Sequence, residues 1–196
     1  MNDQITPSAQ DKLKPMRFSI GEAEKTWSGP AITKTGLSIL ITPARPDDQK
    51  ALKEFFDKVG PDDLYYRFLS GMRHVDDERI SAMVRNDDEH SIDFLALDME
   101  SGAILATAML VADANFDTAE FALCTRADMK QRGISWTLLD HAARYAEAMG
   151  VRKILSIESF AQRDALQLER EMGFKVTSSP DDASLVLAEK VFWSAA

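Results

Sequence analysis

An α/β fold, with helices packed on a mixed central sheet, is what this sequence predicts, and three observations carry the prediction. Hydrophobic side chains follow a period of two through 92–98, 103–112 and 118–125, which reads as three antiparallel strands in succession. The period then lengthens: Ile134, Leu138, Ala142, Tyr145 and Met149 recur at spacings of three and four and make a helix of about four turns with one apolar stripe. Arg152 to Ser159 reads as a strand again, and the intervening helix allows it to run parallel to the strand before it through a crossover.

Residues 1–35 are polar, with scattered charge and the breaker Ser28-Gly29-Pro30, so they read as an N-terminal extension, the domain itself running from 36 to 196. Met16, Phe18, Ile20 and Trp27 are too many large apolar groups for a solvated tail, and they imply that part of the extension docks on the domain or on another subunit. Leu37 to Thr42 is the first expected strand, ended by Pro43-Ala44-Arg45-Pro46, and Asp47 can cap the helix behind it. Leu52, Phe55, Phe56 and Val59 give that helix one buried face until Gly60-Pro61 stops it. A second short helix, Asp62 to Met72, carries Leu64, Tyr65, Phe68 and Leu69, and a third, Asp76 to Arg85, carries Ile80, Met83 and Val84. Glu100-Ser101-Gly102 turns the first hairpin of the meander, and Asp113 to Asp117 turns the second. Gly150 closes the long helix. Arg163 to Met172 forms another helix, ended by Gly173, and Phe174 to Val176 and Leu185 to Phe192 are strands around a polar loop. The whole amounts to a mixed sheet of about six to seven strands flanked by about four helices.

At 196 residues the chain suits one domain with a sizeable core. Its 45% hydrophobic and 28% charged residues are ordinary for a globular protein, and the net charge of −9 argues against nonspecific nucleic-acid binding, which needs a clustered basic surface. The N-terminus lacks the basic-then-apolar order of a secretory signal, and no run is long and apolar enough to cross a membrane. The single cysteine, Cys124, excludes an intrachain disulfide, and nothing has the spacing of a zinc site. A cytoplasmic location is the default expectation, with no metal and no nucleic-acid or membrane partner.

Between 118–125 and the long helix stands Lys130-Gln131-Arg132-Gly133-Ile134-Ser135. Backbone N–H groups in the first turn of a helix have no intrahelical acceptor, and the helix dipole adds partial positive charge there, so this bend suits a phosphate. Lys130 and Arg132 add charge, and Gly133 lacks the Cβ that would hold a ligand away from the backbone.

The stretch resembles the acyl-CoA pyrophosphate loop of the GNAT acetyltransferase superfamily, Gln/Arg-x-x-Gly-x-Gly/Ala, with Lys130 where Gln or Arg is usual and Ser135 in place of the second glycine. The order of elements from about 37 to 192 is similar to the whole GNAT fold. Further stretches resemble one branch, the GNAT domain of bacterial protein lysine acetyltransferases that modify acyl-CoA synthetases. Its opening, Ile-x-Pro-x-Arg-Pro-x-Asp, is close to Ile41-Thr42-Pro43-Ala44-Arg45-Pro46-Asp47-Asp48, and its Tyr-x-Arg-Phe is matched by Tyr65-Tyr66-Arg67-Phe68. Its Ala-Glu-Phe-Ala is Ala119-Glu120-Phe121-Ala122, and its closing Gly-Phe is Gly173-Phe174.

That resemblance implies transfer of an acetyl group from acetyl-CoA, as co-substrate, to a primary amine, either a protein lysine or a small amine. The neutral amine attacks the thioester directly, so a base must take its proton, and the resemblance puts that role on Glu120. It directs backbone N–H groups around Leu123, Cys124 and Thr125 to the thioester and the pantetheine arm. It gives the pyrophosphate to Lys130, Gln131, Arg132, Gly133, Ile134 and Ser135, and puts Gln162 at the position of a cofactor-contacting Asn. Glu169 falls where a Tyr often protonates the departing thiolate, so no general acid is assigned. Alternation sets Glu120, Ala122 and Cys124 on one face of their strand and Phe121, Leu123 and Thr125 on the other. Cys124, with no His in its stretch, reads as a small buried residue, and His141 as a core-edge or surface histidine. A homodimer is left open. The departures at Lys130, Ser135, Gln162 and Glu169 sustain a second expectation, a catalytically reduced GNAT-fold module that binds acyl-CoA or a protein partner.

Overall fold

The computed structural model describes residues 17–68, 74–85 and 88–193. Within them one sheet is built from β1 (Gly29–Ile32), β2 (Ser38–Pro43), β3 (Ser91–Asp98), β4 (Ile104–Ala112), β5 (Thr118–Thr125), β6 (Lys153–Ser159), β7 (Lys175–Ser178) and β8 (Leu185–Val191). The spatial order is β1-β2-β3-β4-β5-β6-β8-β7. Every neighbouring pair is antiparallel except β5 with β6. The helices are α1 (Ile20–Thr26), α2 (Gln49–Phe56), α3 (Pro61–Phe68), α4 (Asp77–Met83), α5 (Ile134–Ala148) and α6 (Arg163–Glu171).

Both faces of the sheet are covered, which is why its central strands bury side chains on either side. On one face Ile39, Ile41, Phe94 and Ala108 pack against Leu138, Ala142 and Tyr145 of α5. On the other, Leu95, Ile104 and Cys124 meet Leu52, Phe55 and Phe56 of α2, Leu64 of α3, and Ile80 and Met83 of α4. The parallel contact arises because α5 carries the chain back across the sheet between β5 and β6.

The described residues hold eight strands and six helices, against the six to seven and about four expected. Two of the additional elements, α1 and β1, come from the stretch read as an extension. Ser19 caps α1 by accepting from the Glu22 N–H. Ala23 is fully buried, and the Phe18 ring meets Phe116 edge-on at 5.1 Å and lies 5.4 Å from Tyr145. β1 then pairs with β2 along Gly29↔Ile41 to Ile32↔Ser38. A seven-residue helix is too short to display a period, and Pro30 argues against a strand except at a sheet edge, which is where β1 lies. Met16, Leu69 and the expected continuation of the second helix to Met72 lie outside the described residues. No helix among the described residues is long and apolar enough to cross a membrane, and no group of three or more His, Cys, Asp or Glu among them could hold a metal ion.

Phe18 is 3% exposed, so Phe18→Ala should lower unfolding stability by about 3–5 kcal/mol in urea titration, as for other buried aromatic truncations. A loss under about 1 kcal/mol would show that α1 contributes little to the core.

Candidate active site

β5 and β6 pair through three positions only, Thr118↔Lys153, Ala119↔Ile154 and Glu120↔Leu155. Yet β5 continues to Thr125 beside β4, and β6 continues to Ser159 beside β8. Beyond Glu120 and Leu155 the strands part, leaving facing N–H and C=O groups without ladder partners. A cleft of about 430 Å³ opens there. Phe121 to Thr125 form one wall and Ile157 and Glu158 another; α3 contributes Asp63, Tyr66 and Arg67, and α5 contributes Ser135, Trp136 and Leu139. Gln162 and Glu169, at the start and near the end of α6, close the side beyond β6.

The loop before α5 forms the outer end. Gly133 is the N-cap of α5 at φ 74°, with no side-chain cap, and Gln131 is also left-handed at φ 60°. The first-turn N–H groups of α5 are therefore left without a side-chain acceptor. The fold adds a packing reason for the glycine. A Cβ on Gly133 would lie 3.2 Å from the Lys34 nitrogen and 3.2 Å from Thr33 Cβ, so the missing side chain makes room for the β1–β2 turn. The same turn holds the loop through Thr35 Oγ1, which donates to the Arg132 carbonyl at 2.7 Å, and sets Lys34 Nζ 3.9 Å from the centre of the Trp136 ring. Ser135 Oγ lies 3.0 Å from Thr125 Oγ1, so its hydroxymethyl group is held against β5. Lys130 Nζ donates to Asp63 at 2.8 Å and joins the loop to α3. An uncapped helix start with one lysine beside it fits a phosphate group.

Of the residues singled out from sequence, Leu123, Cys124, Thr125, Lys130, Gln131, Gly133, Ser135 and Gln162 come together as cleft lining. Gln162 Oε1 also accepts from the Ser159 N–H at 2.7 Å, which shapes the turn into α6. Ile134 is 1% exposed in the core, and neither it nor the exposed Arg132 lines the cleft. Glu120 is the last β5 residue paired with β6; it is exposed and also lies outside the lining. Burial pushes the Cys124 thiol up to about 12, which keeps it protonated, and pushes His141 down to about 4, where its ring lies edge-on to Trp27 and Phe94.

Sequence reading singled out neither Glu158 as a site residue nor the charged face of α3. Asp63 and Arg67 are four apart on one helix face, and Ser156 and Glu158 are two apart on one strand face, which is the signal available. The Ser156 hydroxyl donates to a Glu169 carboxyl oxygen, while Glu169 Oε2 is buried without a partner. Burial pushes Glu169 up to about 7, against the Ser156 hydrogen bond. Burial, then the neighbouring Glu169, pushes Glu158 up to about 8. Below these values both of these carboxyls are neutral, which removes two negative charges from the β6 and α6 side of the cleft. Asp93, buried under Arg67, is pushed up to about 7 by the same desolvation. All three carboxyls hold protons in the folded chain that the unfolded chain has already lost. Their contribution is thus fully present below the usual carboxylate range and is lost as pH rises through 7 to 8. The melting temperature should fall between about pH 5 and about pH 8.5, and less steeply in a Glu158→Gln, Glu169→Gln double variant; identical slopes in the two proteins would contradict the burial argument.

A model of the Acetyltransferase (GNAT) family matches residues 51–174. An acetyltransferase from Pseudomonas aeruginosa is 25% identical over 154 residues, spanning 78% of this chain and 83% of that protein. Among solved structures, the GNAT domain of S. lividans PAT superposes with a TM-score of 0.78 at 21% identity, over 85% of this chain and 97% of that one. PaiA N-acetyltransferase from Thermoplasma acidophilum, in complex with coenzyme A, superposes with a TM-score of 0.63 at 16% identity, over 80% of this chain and 100% of that one. The family match extends from α2 through the cleft to the residue before β7, and the chain accordingly belongs to the acetyltransferase (GNAT) family, as a GNAT-type N-acetyltransferase.

Proposed function

We propose that the chain transfers the acetyl group of acetyl-CoA to a primary amine, with a protein lysine as the foremost acceptor class, Glu120 as general base and residues 130–135 as the pyrophosphate site. The observation that carries this reading is the course of the cleft, from the uncapped start of α5 to the point where β5 and β6 meet. A ligand with phosphate at one end and a thioester at the other matches it, its amide-bearing arm pairing with the free edge of β5. The PaiA protein of the same fold binds coenzyme A, which agrees. The lysine acceptor rests on the motifs shared with the lysine acetyltransferase branch.

In the reaction the amine nitrogen attacks the thioester carbonyl carbon, the new N–C bond forms and the C–S bond breaks. N–H groups of Leu123 to Thr125 stabilise the negative charge that develops on the carbonyl oxygen. Glu120, exposed at the inner end of the free edge, takes the amine proton directly or through one water, and the thiolate takes its proton from solvent. A second reading, an acyl-CoA-binding module with reduced catalysis, draws on two observations: Lys130 is already ion-paired with Asp63, and Glu120 lies outside the cleft lining.

Glu120→Gln should lower kcat/KM for the amine by about 10²–10³-fold near neutral pH, with affinity for coenzyme A in isothermal titration unaltered. Full turnover in that variant would remove the base assignment. Tight acetyl-CoA binding by the wild type, without thiol release across a panel of amines and lysine peptides, would favour the binding module.

A further inference from the structure

Arg67 is a buried cation with an incomplete set of partners, and it lines the cleft. Its side chain and that of Asp93 are each 3% exposed, but the nearest approach, Nη2 to Oδ1, is 3.8 Å, too long for a hydrogen bond. Asp93 Oδ1 and Arg67 Nε are both buried without a hydrogen-bond partner. Among the described residues the donor contact of Arg67 is weak, Nη2 to the Met109 sulfur at 3.5 Å, and its guanidinium carbon lies 5.0 Å from the centre of the Phe68 ring. Such an arrangement is costly for a group that cannot shed its proton. Asp93 does not cancel the charge well, because desolvation outweighs Arg67 and pushes its carboxyl up to about 7. Asp63, one helical turn earlier on α3, is engaged by Lys130.

The position of the guanidinium along the cleft says what it faces. Met109 pairs with Ala122 across β4 and β5, so Arg67 reaches the sheet beside Ala122, two residues from Glu120 and three from Thr125, which Ser135 in the first turn of α5 meets. Asp63, by contrast, reaches Lys130 at the loop. Arg67 thus serves the inner end of the cleft, where the reacting group and the acceptor meet, and not the phosphate end. A planar guanidinium matches a carboxylate through two parallel hydrogen bonds, and the phosphate end of the cleft already has the uncapped start of α5 and Lys130.

We propose that Arg67 is a specificity residue for a carboxylate: either the transferred acyl group or the acceptor amine carries one, and it docks on the Arg67 guanidinium at the inner end of the cleft. This rests on the acyltransferase reading above and changes one of its two substrates: a carboxylate-bearing acyl group takes the place of acetyl, or a carboxylate-bearing amine takes the place of the protein lysine. A carboxylate there compensates the buried charge that Asp93 leaves.

Two arms distinguish the sources. In the first, binding and thiol release are measured with malonyl-, succinyl- and glutaryl-CoA against neutral acyl-CoAs of matched length, with coenzyme A as reference. In the second, amino acids and peptides with a free carboxylate near the amine are compared with their decarboxylated counterparts, using acetyl-CoA as donor. The wild type should prefer the carboxylate-bearing member of one arm by about tenfold or more, and Arg67→Met should bring that ratio close to one, with Arg67→Lys between the two. Because the ratio within each protein is what is read, a general loss of stability in the variants does not decide the outcome. Equal use of charged and neutral members in both arms by the wild type would overturn the proposal and leave Arg67 as a brace between α3 and the sheet. A ratio unchanged in Arg67→Met would do the same. If neither coenzyme A nor any acyl derivative binds, the acyltransferase reading falls, and this assignment with it.

Discussion

Two parallel strands that stop pairing after three residues are the constraint on which the rest of this molecule depends. β5 is held along its other edge by β4, and β6 by β8, so neither can swing to close the gap without breaking a full antiparallel ladder. Buried backbone groups are rarely left unpaired, and the free edge from Phe121 onward is therefore a site that a ligand with amide groups can complete. The crossover helix α5 starts at the mouth of the same gap, which brings its uncapped N–H groups to one end of the cleft, while Glu120, outside the lining, marks where the pairing of β5 with β6 stops. One break in pairing thus sets the direction in which a long, partly anionic ligand can lie.

The outer end of the cleft is not held by its own loop alone. The β1–β2 turn packs where a Gly133 side chain would be, lays its Lys34 over the Trp136 ring and ties its Thr35 to the Arg132 carbonyl. Just before that hairpin, Phe18 and Trp27, which flank α1, close over Tyr145 on α5. The N-terminal segment therefore couples core packing to the geometry of the anion loop, and a substitution far from any ligand can loosen the loop by loosening the hairpin.

Charge in the cleft is arranged by burial more than by pairing. In an acidic chain, desolvation of Glu158 and Glu169 favours their neutral forms and so lowers the negative charge of the cleft. The same desolvation acts on Asp93 and leaves Arg67 the dominant charge at the inner end. Positive charge at the outer end is modest, since Lys130 is shared with Asp63.

Local pattern by itself determined most of the secondary structure: the period-two meander over 91–125, the apolar stripe of α5 and the glycine-containing loop between them, because each is a regularity between near neighbours in the chain. It also placed Glu120 and Cys124 on one strand face and identified the loop residues that line the cleft. Tertiary structure decided the remainder. α1 and β1 have too few residues to show a period and are stable only against Tyr145 and the edge of β2. The packing role of Gly133 required a turn a hundred residues earlier to arrive beside it. Glu158 and Glu169 become neutral acids, and Arg67 an under-partnered cation, only once α3 and α6 close over the sheet, for desolvation is a property of what surrounds a group and no spacing along the chain encodes it.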